Sequence, residues 1–292
     1  MTINEFLKDL LEHQTIAENF TTEMHNDREY FEELINNIQE LSRPTFYWGG
    51  SYGKNTMIKD SYDIDILCYF PADDSHPLEE IYMIVRDHIR SIEPNAYQKN
   101  VAIRVEKREG YHIDIVPAKR SGSDESMAYL YKSQENRRLT TSVEKQIQIV
   151  RDFRRRDLLK LIKLWKSRNN IDIPSFLVEI ITIQVNEDEK ISIEGGLKKV
   201  FKFIASRIET CNIPDPANAS NNIASDEVTA PSEKKRAKEI AEWSLEQDLD
   251  ALEGWKNIFR RKKESFNFNS RNGKEKRTQS RLSPDSPGSR FA

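Results

Sequence analysis

One short segment, residues 63–70, restricts the possible folds more than any other part of the sequence. It reads Asp63-Ile64-Asp65-Ile66-Leu67-Cys68-Tyr69-Phe70. Acids and isoleucines alternate with the two-residue period of a β-strand, so Asp63 and Asp65 share one face and the isoleucines share the other. Two neighbouring carboxylates repel each other unless a cation lies between them or one is protonated. The segment therefore predicts a strand with an apolar core on one face and an acidic site on the other.

A second acidic strand is predicted further along the chain. Asp114 lies in the segment His112-Ile113-Asp114-Ile115-Val116, which we expect Pro117 to end. If this strand lies beside the first, Asp114 completes a trio of carboxylates. Oxygen ligands suit hard divalent cations, and two such ions about 3.5–4 Å apart stabilise the attacking and leaving oxygens of a phosphoryl displacement. The third carboxylate can also accept the proton of the attacking hydroxyl.

A glycine-containing turn precedes these strands. Gly49-Gly50-Ser51 is separated from Asp63 by eleven residues. Glycines let a backbone adopt positive φ and approach closely, so the backbone N–H groups and the Ser51 hydroxyl can hold phosphate oxygens. The turn is not a Walker A loop, because no Gly-Lys-Ser/Thr follows. Alone, Asp-x-Asp is commonly a solvated strand edge and Gly-Gly-Ser a plain turn. Together they favour a nucleotidyl-transfer site.

Hydrophobic spacing predicts an N-terminal α/β module, a helical module and a loose tail. The strand signal fades after Lys119. The predicted helices are 4–41, 78–92, 151–168, 176–185, 197–208 and 234–260, and the other predicted strands are 45–48 and 101–105.

Composition excludes several classes of protein. None of the 292 residues lies in an apolar run of eighteen, so no membrane span is expected. The N-terminus lacks a basic and then apolar signal region, and Cys68 and Cys211 cannot build a disulfide framework, so a cytoplasmic location is expected.

Charge is unevenly distributed along the chain. From Arg260 onward, the sequence has ten Lys or Arg and three Asp or Glu, so the rest of the chain carries a net charge of −10. That charge argues against a broad nucleic-acid-binding face. The tail is either a solubilising segment or a tether for nucleic acid or a partner.

The motifs resemble the polymerase-β-type nucleotidyltransferase superfamily, whose pattern is Gly-Ser, a spacer, Asp-x-Asp and a later third Asp. Within it, the chain is similar to the cGAS/DncV-like (CD-NTase) branch, which also includes oligoadenylate synthases and bacterial oligonucleotide cyclases. The supporting segments are Gly50–Thr56, His112–Ala118, Leu158–Trp165, Pro174–Phe176 and Asp215–Asn222. The two cysteines cannot form the zinc ribbon of the animal enzyme, so sensing of double-stranded DNA through such an insert is not expected.

The resemblance implies an α+β fold. A long N-terminal helix and a nucleotidyltransferase core with a mixed sheet would occupy 1–120, a helical domain 121–260, and a disordered basic tail 261–292. It also implies roles for individual residues: Gly50 and Ser51 hold the triphosphate, Lys163 and Ser175 contact the donor phosphates, Phe176 stacks on the donor base, and Asp63, Asp65 and Asp114 bind two Mg²⁺ or Mn²⁺ ions. Lys163 could also be an ordinary solvated lysine, and Phe176 an ordinary core residue.

The activity implied by the resemblance is synthesis of a cyclic di- or trinucleotide from ATP and other nucleoside triphosphates. A downstream effector would bind the product in antiphage defence. Two alternatives stay open from the sequence. The first is a nucleotidyltransferase that acts on another acceptor, namely a tRNA 3′ end, a protein or a small molecule, or a linear oligoadenylate synthase. The second is a catalytically inactive fold that serves as a binding module.

Overall fold

The computed structural model describes residues 1–260 except 62, 109, 110, 123, 125, 188 and 189, so the predicted tail lies outside the described residues. The first half contains α1 Ile3–Glu12, α2 Glu18–Asn36, β1 Thr45–Trp48, α3 Gly50–Gly53, β2 Ile64–Phe70, α4 Leu78–Ile92, β3 Tyr97–Gln98, β4 Ile103–Arg108, β5 Tyr111–Arg120, β6 Ala128–Lys132 and β7 Arg137–Thr141. The second half contains α5 Val143–Asp152, α6 Arg156–Arg168, α7 Ser175–Val185, α8 Ile193–Arg207, β8 Pro214–Asp215, β9 Asn218–Asn222, α9 Pro231–Glu246 and α10 Leu252–Ile258.

A mixed sheet forms the centre of the first half, in the order β1-β2-β5-β4-β3. The two acidic strands, β2 and β5, are parallel neighbours, whereas β1 and β4 run antiparallel to them. β6 pairs with the far end of β5, and β7 pairs with β6. With the helices on its faces, this sheet makes the mixed α+β fold that the sequence predicts.

The two faces of the sheet bury different cores. Ile64 and Ile66 of β2 pack with Phe31 of α2 and Tyr82 of α4. The opposite face carries Leu67 and Tyr69 of β2, which pack with the start of α5. A third core joins α1 to the helical body, which α6 to α10 build. Alternate residues of one strand therefore enter different cores, as the two-residue period requires.

The N-terminal helical segment is divided into two helices. α1 ends at Glu12 and α2 begins at Glu18. Leu7 of α1 belongs to the core of the helical body, whereas Phe31 of α2 belongs to the core under the sheet. One straight helix cannot serve both cores, so the expectation of one helix over 4–41 is wrong.

The strands continue past the predicted stop at Pro117 and past Lys119. Pro117 lies between Ile115, the last β5 residue paired with β4, and Ala118, the first paired with β6. Its missing N–H is tolerated there, since no antiparallel partner pairs with it. Neither β6 nor β7 was predicted from the sequence. β7 is short, polar and half exposed, so its sequence lacks the apolar alternation of a buried strand. The expectation that strands fade after Lys119 is wrong, while the domain boundary at residue 120 stays a prediction.

Two of the predicted C-terminal helices are also divided. The 151–168 pattern spans the end of α5 and all of α6, and the 234–260 pattern spans α9 and α10. Pro174 precedes α7 directly, as predicted. Within the described ranges, the chain has no helix whose length and apolarity would let it cross a membrane.

Candidate active site

Three charged side chains form a row across the middle of the sheet. Asp65 of β2 lies directly opposite Asp114 of β5, and Asp114 lies directly opposite Arg104 of β4. Residues at matched register project to the same face of a sheet. The two strands therefore bring the first pair of acids and the third acid together, as the sequence predicted. They also add an arginine that the sequence analysis did not include.

Arg104 holds Asp114 with a two-pronged contact. Its Nε donates to Oδ1 of Asp114 at 2.6 Å, and its terminal Nη2 donates to Oδ2 at 2.6 Å. The Asp114 side chain is fully buried, and the Arg104 side chain is 8% exposed. A planar guanidinium matches a carboxylate in this geometry, and both partners become fixed in orientation.

Asp63 is the most accessible of the three acids. Its Oδ1 lies 2.7 Å from Nε2 of His112, and its Oδ2 lies 3.5 Å from Nη2 of Arg104. Burial raises the pKa of Asp63, but the hydrogen bond from His112 and the charges of His112 and Arg104 outweigh it and lower the pKa overall. Asp63 is therefore held as a carboxylate.

Asp65 is the acid without a cationic neighbour in direct contact. It is 6% exposed, and its Oδ1 is a buried oxygen with no hydrogen-bond partner. Burial, and then the charges of Asp114 and Asp63, raise the pKa of Asp65 well above its usual range. A cation beside Asp65 would relieve both penalties, so the donor chemistry fits a divalent metal. The described residues nevertheless contain no group of three His, Cys, Asp or Glu side chains already arranged around one ion.

The glycine turn is packed directly against Asp65. Gly50 has a φ of +50°, and a Cβ added to it would lie 1.5 Å from Oδ2 of Asp65. The N–H of Gly49 donates to the backbone oxygen of Asp65 at 2.8 Å. Only glycine fits this position, on grounds of both backbone conformation and space. The turn and the carboxylate therefore form one unit, with Ser51 on the wall of the adjoining cavity.

Lys163 is buried and bonded, not solvated. Its Nζ donates to the backbone oxygen of Thr56 at 2.8 Å and lies 3.9 Å from Oε1 of Glu179. Lys54, which follows the glycine turn, donates to Oε2 of Glu179 at 2.9 Å, and the Thr56 hydroxyl donates to Oε1 at 2.7 Å. Burial lowers the pKa of Lys163 to about 8, against the opposing effect of the Glu179 charge. Glu179 is thus a buried counter-ion for both lysines.

Ser175 and Phe176 lie at the start of α7, on the wall of the same cavity. The Lys166 Nζ donates to the Ser175 hydroxyl at 3.3 Å. Phe176 is only 4% exposed and belongs to the core of the helical body, and the Lys54 ammonium lies 4.5 Å from its ring centroid. The ring is therefore both a core residue and part of the cavity wall.

The cavity that unites these groups has a volume of about 340 Å³ and lies between the sheet and the helical body. Its walls include Gly50, Ser51, Asp63, Asp65, Lys54, Lys163, Lys166, Ser175 and Phe176. A larger cavity of about 1220 Å³ adjoins it and shares Val228 as a wall residue. The smaller cavity combines carboxylates, lysines and an aromatic ring, a combination that suits a nucleoside triphosphate.

Sequence reasoning missed four residues of this site. Arg104 stands between Ile103 and Val105, and Glu179 stands in the apolar helix α7. A lone charge in an apolar segment signals a buried ion pair, because a buried charge must find a partner. That signal was available for both. Lys54 gave no comparable signal, because it directly follows the glycine turn and lies outside an apolar segment, and His112 lies near the start of β5.

Comparison with known proteins agrees with this geometry. Residues 44–117 match the family model of the cyclic GMP-AMP synthase DncV-like nucleotidyltransferase domain. The CBASS oligonucleotide cyclase CdnC of Escherichia coli (strain KTE188) is 25% identical, over 73% of this chain and 80% of that protein.

Solved structures share the fold. E. coli MS115-1 CdnC with ATP has a TM-score of 0.65 at 17% identity, covering 88% of this chain and 97% of that one. The structure of Bradyrhizobium diazoefficiens CD-NTase CdnG with GTP has a TM-score of 0.68 at 13% identity. The match covers 89% of this chain and 96% of that one. The family model covers the segment that carries the glycine turn and all three acids, so this part of the chain is similar to the DncV-like nucleotidyltransferase domain, and the chain as a whole is similar to the CBASS cyclase CdnC.

Proposed function

We propose that this protein joins ATP and other nucleoside triphosphates into a cyclic di- or trinucleotide in CBASS-type antiphage defence. The observation that carries the proposal is the contact between Gly50 and Asp65, with Asp114 directly opposite Asp65 on the next strand. It brings a phosphate-binding turn and two buried acids into one unit. The similarity to CBASS cyclases supports the choice of a nucleotide as the acceptor.

The residues divide into two groups around the cavity. Asp63, Asp65 and Asp114 would hold two Mg²⁺ or Mn²⁺ ions. These ions, when bound, supply charge neutralisation of the triphosphate and of the departing pyrophosphate. Asp114 would accept the proton of a ribose hydroxyl as that oxygen attacks the α-phosphorus.

The second group would bind the donor nucleotide. The turn at Gly50 and Ser51 would hold phosphate oxygens, and Lys163 together with Ser175 would lie along the triphosphate. Lysine suits this role because it is a compact point charge. Phe176 would contact the donor base once the Lys54 ammonium moves from its ring to the phosphates, since an aromatic face suits any base.

The test is incubation of the full chain with each labelled nucleoside triphosphate, alone and mixed, with Mg²⁺ or Mn²⁺. A phosphatase-resistant product that forms without an added acceptor supports the cyclase. A product that appears only with added tRNA, protein or a small hydroxyl compound supports the alternative acceptors, and a phosphatase-sensitive ladder supports a linear oligoadenylate synthase.

Variants at the acids check that the chemistry belongs to this site. Asp65→Asn and Asp114→Asn should each lower turnover at least about 100-fold, since each removes a charge that contacts the reacting groups. Asp250→Asn is the control, because Asp250 is 97% exposed on the helical body. Full activity in both site variants would contradict the proposal.

The cellular setting belongs to the same proposal. One solved relative is the complex of E. coli MS115-1 CdnC with HORMA-deltaN. We therefore propose that a HORMA protein also binds the present enzyme, in the cytoplasm, that this binding raises product formation, and that an effector binds the product. The assay is repeated with a purified HORMA-domain protein, and an increase in product identifies the activator.

A further inference from the structure

We propose that Arg104 acts as an internal cation that occupies Asp114 until divalent metal binds. Arg104 is then a positioning residue whose charge weakens metal binding at the three acids. This inference rests on the proposed function, because it assigns those acids to a metal site. It adds a residue that restrains the site from within the sheet.

The first support is the place of Arg104 in the sheet. It lies opposite Asp114 in the β4–β5 register, between the buried residues Ile103 and Val105. The strand fixes its direction, so the guanidinium projects to the acidic face.

The second support is the number of carboxylate oxygens that Arg104 engages. It contacts both oxygens of Asp114 at 2.6 Å and one oxygen of Asp63 at 3.5 Å. His112 lies on the other oxygen of Asp63. Asp65 alone retains a buried oxygen without a hydrogen-bond partner. This explains why three acids on one face are not yet gathered around a common point.

The third support is electrostatic. A guanidinium that touches two of three acids must lie within a few ångströms of any cation that those acids share. Like charges at that separation repel strongly in a buried site, where water screens them poorly. Loss of the two-pronged hold would leave Asp114 less well oriented, which opposes this effect. We expect the charge to dominate, because all four polar contacts described above are buried or half-buried.

The experiment measures Mn²⁺ binding to the full chain by titration calorimetry at one pH. Arg104→Met removes the charge and keeps an unbranched apolar stem. We expect its Mn²⁺ dissociation constant to fall about tenfold relative to wild type, and the Mn²⁺-induced rise in Tm to be larger than in wild type. Arg108→Met is the matched control, because Arg108 lies on the same strand and pairs with Glu23 of α2. It should leave the dissociation constant within about twofold of wild type.

The outcomes separate this inference from the proposed function. Tighter Mn²⁺ binding in Arg104→Met alone supports the inference. Equal or weaker binding overturns it and shows that Arg104 only orients Asp114, while the metal site itself stands. Absence of Mn²⁺ binding to every protein, wild type included, overturns the metal site as well.

Arg104→Gln keeps the test decisive if Arg104→Met does not fold. Glutamine removes the charge but keeps a polar group that can donate a hydrogen bond to Asp114. We expect Mn²⁺ to bind about threefold more tightly than to wild type. Unchanged or weaker binding to this variant also overturns the inference.

Discussion

At the scale of the single residue, Gly50 has no room for a side chain. A side chain there would collide with Asp65, and its φ of +50° is unfavourable for other residues. We expect Gly50→Ala to lower nucleotide turnover at least about 100-fold, because the displaced carboxylate is central to the site. Gly122→Ala is the control, since Gly122 also has positive φ but meets only the Ala72 side chain, at 3.3 Å. An active Gly50→Ala protein would show that the turn and the acid are not one unit.

The Asp65 side chain should lower the free energy of unfolding of the metal-free protein. Burial and two neighbouring acids raise its pKa, so its charged form is unfavourable in the folded state. We expect Asp65→Asn, measured by urea unfolding in EDTA at pH 7.5, to raise the free energy of unfolding by about 1–2 kcal/mol while it abolishes turnover.

Asp60→Asn should act in the opposite direction and serves as the comparison. Asp60 accepts from Arg168 at 3.0 Å and from Gln14 at 3.3 Å, so its charge is compensated. Its loss should lower the free energy of unfolding by about 1–2 kcal/mol. A decrease of similar size in both variants would mean that Asp65 is stabilised by groups other than those described.

Lys163 should make stability depend on pH. Its pKa is about 8 in the folded protein, below the ordinary value of a lysine, because burial disfavours its charge. Between pH 8 and about 10, the unfolded chain therefore binds more protons than the folded protein, and stability contributed by this group rises with pH.

The measurement compares wild type with Lys163→Met by urea unfolding at pH 8.0 and 9.5. The free energy of unfolding of wild type minus that of Lys163→Met should be about 1–2 kcal/mol larger at pH 9.5 than at pH 8.0. Lys256→Met, at an exposed lysine of α10, corrects for the general loss of a positive charge. A difference that stays constant with pH would contradict the assignment.

At the scale of elements, one aspartate connects the sheet to the small β8–β9 hairpin. Asp215 Oδ2 accepts from Gln146 of α5 at 3.0 Å and from Thr141 of β7 at 3.2 Å, and its Oδ1 accepts from the Ala217 N–H at 2.9 Å. The Asp-Pro-Ala motif of the sequence therefore has a structural function in this protein.

Asp215→Ala should lower the free energy of unfolding by about 2–3 kcal/mol, because the buried donors of Thr141 and Gln146 each lose the Asp215 carboxylate as an acceptor. Urea unfolding measures the change. Asp250→Ala, on the exposed surface, should have little effect. Equal stability of the two variants would show that the hairpin is held by other contacts.

Helices and strands were predicted well where the pattern of residue types is regular along the whole element. α4 has the bounds 78–92 that its spacing indicates, and β2 matches the acidic segment closely. Failures occur where one apolar pattern serves two cores, as in α1 and α2, or where a strand is polar, as in β7. Periodicity reports burial on a face, but it does not report which body of the protein covers that face.

At the scale of the whole molecule, Glu179 links the two bodies that form the cavity. It lies on α7 of the helical body, and it accepts from Lys54 and Thr56, which follow the glycine turn. A buried charge with two buried partners is costly to disrupt by a single substitution, because the partner charge is left uncompensated.

A double-mutant cycle tests this link. Glu179→Gln and Lys54→Met should each lower the free energy of unfolding by about 2–3 kcal/mol, and the double variant should lose at least about 1 kcal/mol less than the sum. The pair Glu209 and Lys238 on the helical body is the control, and it should show no measurable coupling because it is exposed. Additive effects at Glu179 and Lys54 would contradict a direct link.

The sequence by itself determined the parts of the site that depend on local pattern. Alternation placed Asp63 and Asp65 on one face of β2, and the apolar neighbours of Asp114 identified its strand. Only the tertiary structure decided that Asp114 faces Arg104, that Gly50 touches Asp65, and that Lys163 shares Glu179 with Lys54. Each of these contacts joins residues from different elements, and their partners follow from strand order and helix packing, which a local pattern does not encode.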